Sequence, residues 1–176
     1  MKNLMILLAV IIIPLTFIKY NEEEQIIIPT DAIRIRIIAN SNSIEDQYEK
    51  LEVRENLQLF LEELLKESKT KEQSEKIIKE NIINIDKNVK TTLKGLNSTS
   101  KYEIKYGNNY FPKKEFKGIV YEEGYYDSLV VTLGSGKGDN WWCVLFPPLC
   151  LMEVEEGNMT DVEYGLFVNE IISNYK

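Results

Sequence analysis

Thr132 to Met152, TLGSGKGDNWWCVLFPPLCLM, constrains the fold more than any other stretch of the chain. It gathers three glycines, both tryptophans, both cysteines and a Pro-Pro pair. Gly134, Gly136 and Gly138 alternate with Ser135 and Lys137, which lets the backbone take positive φ or approach another surface closely. Asp139-Asn140 adds side chains that bond to nearby backbone in turns. Trp141 to Phe146 is a short aromatic, β-branched and apolar run, as in a strand buried on both faces. Pro147-Pro148 must end it, because neither residue can donate a ladder hydrogen bond. Cys143 and Cys150 stand seven apart across that stop, within disulfide range if the chain reverses there.

The strand needs partners, and the sequence offers several. Ile33, Ile35 and Ile37 alternate with Arg34 and Arg36, the period of a strand with one buried face. Two roles suit the arginines: binding an anionic partner, or forming a solvated face paired with neighbouring acids. Asn40 to Ser43 is a turn, and Ser43 with Asp46 caps a helix over 44–67. Its expected apolar stripe is Ile44, Tyr48, Leu51, Leu57, Phe60, Leu61, Leu64 and Leu65. Thr70 and Gln73 form a capping-box pattern for a second helix with stripe Ile78, Ile82, Ile85, Val89 and Leu93, ended by Gly95. The two read as an antiparallel hairpin.

From Lys101 the texture changes to short strands with turn punctuation. Tyr102 to Tyr106, Lys117 to Tyr121, Tyr125 to Leu133, Trp141 to Phe146 and Leu151 to Val154 read as a meander, with Gly107-Asn108-Asn109 as one of its turns. The first strand is expected to insert beside a meander strand. A last helix is expected over 161–174, with Val162, Leu166, Phe167, Glu170 and Ile171 inward. The fold class is therefore α+β: a mainly antiparallel sheet carrying an N-terminal strand, with a helical hairpin and a C-terminal helix packed on it. At the start, Leu4 to Ile18 is an apolar run short for a membrane span and suited to a signal-peptide core. The expected organisation is residues 1–19 as a signal peptide or N-terminal membrane anchor, 20–29 as linker and 30–176 as one domain. A disulfide would persist in an exported domain.

Composition removes whole classes of function. The 176 residues include no histidine, which excludes Ser-His-Asp and Cys-His catalysis and the commonest zinc ligand. A formal charge of −7 argues against a nucleic-acid face. Gly134 to Asp139 is superficially like a phosphate loop but lacks the GxxxxGK[ST] spacing. Cys143 has no histidine to activate it and has Cys150 nearby. Glu122, Glu123, Asp127 and Asp139 are the acids available for carboxylate chemistry on a glycan, with a tryptophan for sugar stacking. Trp141 and Trp142 point to opposite faces of a strand, so one is available as an exposed anchor beside the glycine loop.

The segments Ala32-Ile33-Arg34-Ile35-Arg36-Ile37-Ile38-Ala39-Asn40-Ser41, Tyr125-Tyr126-Asp127 and Leu133 to Cys150 together resemble the stage II sporulation protein R family of endospore-forming bacteria. The likeness runs from about Pro29 to about Met152. It implies a non-enzymatic signalling protein, without cofactor or metal, exported across the forespore membrane into the intermembrane space. There the family is understood to activate a membrane aspartic protease that processes the mother-cell sigma-E precursor. The expected partner is the extracytoplasmic part of that protease. The expected contact residues are Gly134, Gly136, Lys137, Gly138, Asp139, Asn140, Trp141 and Trp142, with Arg34 and Arg36 beside them, and a Cys143–Cys150 disulfide holding the turn. The competing reading is an extracytoplasmic cell-wall protein that binds or cleaves glycan.

Overall fold

The computed structural model describes residues 26–116, 119–150 and 161–175. The expected N-terminal signal or anchor and the strand expected at Leu151 to Val154 lie outside them. The chain runs β1 (Ile26–Ile27), β2 (Ile33–Ile38), α1 (Ile44–Leu65), α2 (Lys71–Glu80), α3 (Ile82–Gly95), β3 (Tyr102–Phe111), β4 (Lys114–Phe116), β5 (Ile119–Tyr121), β6 (Gly124–Leu133), β7 (Asn140–Phe146) and α4 (Asp161–Asn174). This is the expected α+β fold, although its two sheets are mixed. The larger has the order β3-β6-β2-β7 and the smaller β1-β5-β4.

The insertion of β2 organises everything else. It runs parallel to β6, with Arg36 beside Val130, and antiparallel to β7, with Arg36 beside Trp142. β6 and β7 are therefore not hairpin neighbours, and the meander expected of them is interrupted by the first strand. Ile33, Ile35 and Ile37 face α1, α2 and α3 in a core that includes Val53, Leu57, Leu61, Ile78, Ile85, Leu129 and Val131. A second core joins Ile28, Ala32, Ile119 and Val144 to Tyr164, Val168, Ile171 and Ile172 of α4. Val144 pairs with Arg34, so α4 packs on the side opposite the helical hairpin, and helices cover both faces of the sheet.

Local signals worked where the backbone decided. Ser43 accepts from the Asp46 N–H at 3.1 Å, and Thr70 from the Gln73 N–H at 3.2 Å, as their spacing predicts. Other expectations gave way to packing. Along α1 the buried set is Lys50, Val53, Leu57, Leu61 and Leu65, while Ile44, Tyr48 and Leu51 are exposed. Lys50 can take an inward place because its ammonium donates to Gln47 Oε1 at 2.6 Å and to the Asp139 carbonyl at 3.4 Å. The single second helix is two, broken at Asn81, whose side chain donates to the Ile77 carbonyl. The helix does end at Gly95, as expected, but the left-handed residue comes two positions later. That residue is Asn97 at φ 54°, and the Ser98 and Asn97 N–H groups bond back to Leu93 and Lys94 as a Schellman motif.

Gly107-Asn108-Asn109 is no turn either. The three residues lie inside ten-residue β3, paired with Asp127, Ser128 and Tyr126 of β6, and Asn109 donates to Ser128 Oγ. On α4 the buried positions are Tyr164, Val168, Ile171 and Ile172, with Leu166 exposed, so the apolar stripe is rotated from the one its sequence suggests.

Candidate functional site

Joining β6 to β7 across an inserted strand sets a geometric demand. The two strands stand roughly 10 Å apart, twice the spacing of a hairpin. Residues 134–139 must cross the end of β2, where the backbone of Ala39 to Asn42 lies. They do so in close contact. The N–H groups of Lys137 and Gly138 donate to the carbonyls of Asn40 and Ala39 at 3.1 and 2.9 Å. Ser135 N–H and Asp139 N–H donate to the side-chain carbonyls of Asn40 and Asn42. Ser135 Oγ donates to the Asn40 carbonyl at 3.0 Å.

The glycines belong to this clamp. Gly134 has φ 53°, and a Cβ there would lie 2.3 Å from Asn40 Oδ1. A Cβ on Gly138 would lie 2.2 Å from the Ser41 carbonyl oxygen. Gly136 closes the turn through its N–H to the Leu133 carbonyl. The loop is thus pinned at its backbone while Lys137, Asp139 and Asn140 remain exposed. Beyond it, Cys143 and Cys150 form a disulfide with Cα atoms 5.9 Å apart, and the Cys150 N–H donates to the Val144 carbonyl.

The tryptophans do point to opposite faces, and both are half-buried. Trp141 packs against the larger core with Arg54 5.8 Å over its ring. Trp142 lies on the arginine face, edge-to-face with Phe111 at 5.5 Å, its indole N–H donating to Asn140 Oδ1. Here the structure revises the solvated reading of the arginines. Arg34 is 1% exposed, its guanidinium carbon 3.4 Å above the Tyr126 ring and 5.2 Å from Phe111. Arg36 is half-buried, 4.2 Å over Phe111 and 6.0 Å over Trp142, and its Nη2 donates to the Tyr110 carbonyl. Among the described residues no salt bridge involves either one. Burial pushes the pKa of both down.

Trp142, Arg34 and Lys114 line a cleft of about 150 Å³ with Phe116, Tyr121 and Tyr164. No local pattern marks Lys114, Phe111 or Tyr126 as neighbours of the tryptophan block. They arrive through β3, β4 and β6, and only the strand order brings them together.

The acids considered for glycan chemistry are elsewhere. Asp127 pairs with Lys71 at 2.8 Å, Glu122 pairs with Lys113 at 3.0 Å, and Glu123 accepts from the Tyr110 hydroxyl. Neither they nor Asp139 line the cleft beside Trp142. No metal-holding group of His, Cys, Asp and Glu occurs among the described residues, and no helix among them is long and apolar enough to cross a membrane.

The model of the family described as stage II sporulation protein R (spore_II_R) matches residues 29–156. Stage II sporulation protein R of Bacillus subtilis (strain 168) is 34% identical over 137 residues, which cover 78% of this chain and 61% of that protein. The chain thus matches about three-fifths of the length of its curated relative. No solved structure matches. The clamped glycine loop, the paired tryptophans, the disulfide and both strand arginines all fall within the matched region, and the chain belongs to the stage II sporulation protein R family.

Proposed function

We propose that this sporulation-family chain is an exported signalling protein, delivered from the forespore into the intermembrane space. There it activates the membrane aspartic protease that processes the mother-cell sigma-E precursor. It acts as a ligand, binding the extracytoplasmic part of the protease and shifting it toward its active state. On this reading the chain supplies contacts only, with no catalytic residue and no cofactor.

One observation carries the reading. Lys137, Asp139 and Asn140 are exposed on a loop tied to the end of β2 and the turn after it by six hydrogen bonds, five of them through the loop backbone. A surface already held in one conformation gives up little entropy on binding, which is how affinity is gained without a large cavity. The disulfide from Cys143 of β7 to the buried Cys150 holds the chain beneath this surface, and the Trp142 edge adjoins it. Arg34 and Arg36 flank it from inside, across β2, so their part is to shape the face beside the loop.

The test is direct binding of the purified full chain to the extracytoplasmic portion of the protease, with Lys137→Ala, Asp139→Ala and Asn140→Ala as variants. Saturable binding that all three weaken, with folding retained, is the expected result. Binding unchanged in all three would overturn the loop as contact surface. No binding by the folded wild-type chain would overturn direct activation.

A further inference from the structure

Arg34 has an unusual donor inventory. It is 1% exposed, yet its Nε and Nη1 meet no acceptor, and its Nη2 reaches the Glu122 carbonyl at only 3.4 Å. Stacking on Tyr126 explains where the guanidinium lies. It does not satisfy the N–H groups, because a ring face interacts with the cation above it and offers no in-plane acceptor. Buried donors without acceptors are rare and costly, so their presence calls for a reason.

The reason lies in the adjoining cleft. Arg34 lines it as a buried residue and Lys114 as an exposed one, with Trp142, Phe116, Tyr121 and Tyr164 as walls. Lys114 Nζ stands 5.1 Å over the Trp142 ring and takes part in no salt bridge among the described residues. A chain of net charge −7 thus gathers two cations around one aromatic slot. At about 150 Å³ the slot is smaller than the roughly 300–1,000 Å³ of small-molecule sites, and takes a single side chain.

We infer that this cleft binds a carboxylate presented by a polypeptide partner: an Asp or Glu side chain entering between Trp142 and Lys114 to meet Arg34. The hydrocarbon stem of such a residue would contact the aromatic walls while its carboxylate accepts the unpaired N–H groups in charge-assisted bonds. A phosphate has a full shell of strong acceptor oxygens and no apolar stem, and would leave those walls unused. The partner need not be the protease, so the inference stands apart from the functional reading.

The experiment titrates the isotope-labelled full chain, watching the Trp142 indole N–H and the arginine side-chain N–H signals. The probes are N-acetylglutamate N-methylamide, its glutamine counterpart and inorganic phosphate. Saturating shifts with the glutamate probe are expected, with the glutamine probe about tenfold weaker. Arg34→Met keeps a stem under Tyr126 and should abolish the response. Should it fail to fold, Lys114→Ala decides, because Lys114 is exposed and its loss leaves both cores intact. That variant should weaken the glutamate probe several-fold. Equal response to the two amides, tighter binding of phosphate, or glutamate binding undiminished in Lys114→Ala would each overturn the inference. Glutamate binding without protease binding would sustain the cleft and overturn only the signalling partner.

Discussion

Gly138→Ala tests the crossing loop most directly, because one methyl group meets backbone that cannot yield. The added Cβ would lie 2.2 Å from the Ser41 carbonyl oxygen, 2.6 Å from its carbon and 2.9 Å from Ala39 Cβ. Ordinary contact needs roughly 3.5 Å, so the loop and the β2 exit must separate by about 1 Å. That movement breaks at least two of three short-range bonds: Gly138 N–H to Ala39, Lys137 N–H to Asn40, and Ala39 N–H to Asp139. Each is worth about 1 kcal/mol, and forcing a methyl into a filled site costs about 1–3 kcal/mol.

The expected loss is therefore about 3–5 kcal/mol, a large part of the roughly 5–15 kcal/mol that holds a domain folded. Urea unfolding followed by tryptophan fluorescence reads it as a midpoint lowered by about 1.5–2.5 M, at a slope of about 2 kcal/mol per M. Lys137→Ala, one residue away and exposed, serves as control and should stay within about 0.5 kcal/mol of the wild type. Gly138→Ala as stable as that control would refute the clamp, and with it the physical account of the glycines.

Other positions give sharper contrasts of sign. Gly95→Ala should stabilise by about 0.5–1 kcal/mol in the same unfolding assay, since Gly95 is helical and a Cβ there meets nothing within 4 Å. Replacing Cys143 and Cys150 by Ser should cost about 2.5 kcal/mol, the loop-closure value for so short a spacing, read as a thermal shift under non-reducing conditions. The Lys71 ammonium holds the Asp127 carboxyl below its usual range. Its contribution is thus fully present above the unfolded value of about 3.9 and is lost as pH falls through the lower folded value. With both partners partly exposed it is worth about 0.5–1 kcal/mol, and Asp127→Asn should remove that part of the acid limb of stability against pH.

The legible parts of this chain were those decided locally. Alternation through Ile33, Ile35 and Ile37 found a strand and its core face, and Ser43 and Thr70 found helix starts, because a few adjacent residues settle each. Where two inward registers competed, pattern failed. Ile44, Tyr48 and Leu51 form a convincing stripe, yet α1 turns Lys50 and Val53 inward, since the distant Asp139 carbonyl joins the neighbouring Gln47 Oε1 in accepting from the buried Lys50 ammonium. Gly107-Asn108-Asn109 has turn composition, but Ser128 across the ladder bonds Asn109 and keeps the strand running.

The candidate site was half visible for the same reason. Glycines, tryptophans and cysteines announce themselves in a single stretch, but what they face depends on a strand a hundred residues earlier. Pairing β2 with β7 sets Arg36 against Trp142 and Ile37 against Trp141. Because side chains alternate, a slip of one residue would send both arginines into the helix-covered core and all three isoleucines into the aromatic cluster. Three isoleucines at zero to 2% exposure hold one face, and the crossing loop that caps the β2 end holds the other constraint. Register in this sheet is therefore fixed twice over, by burial and by the clamp. That double constraint is what permits a guanidinium with unpaired donors to stay buried against Tyr126: the arginine cannot leave without the isoleucines leaving too.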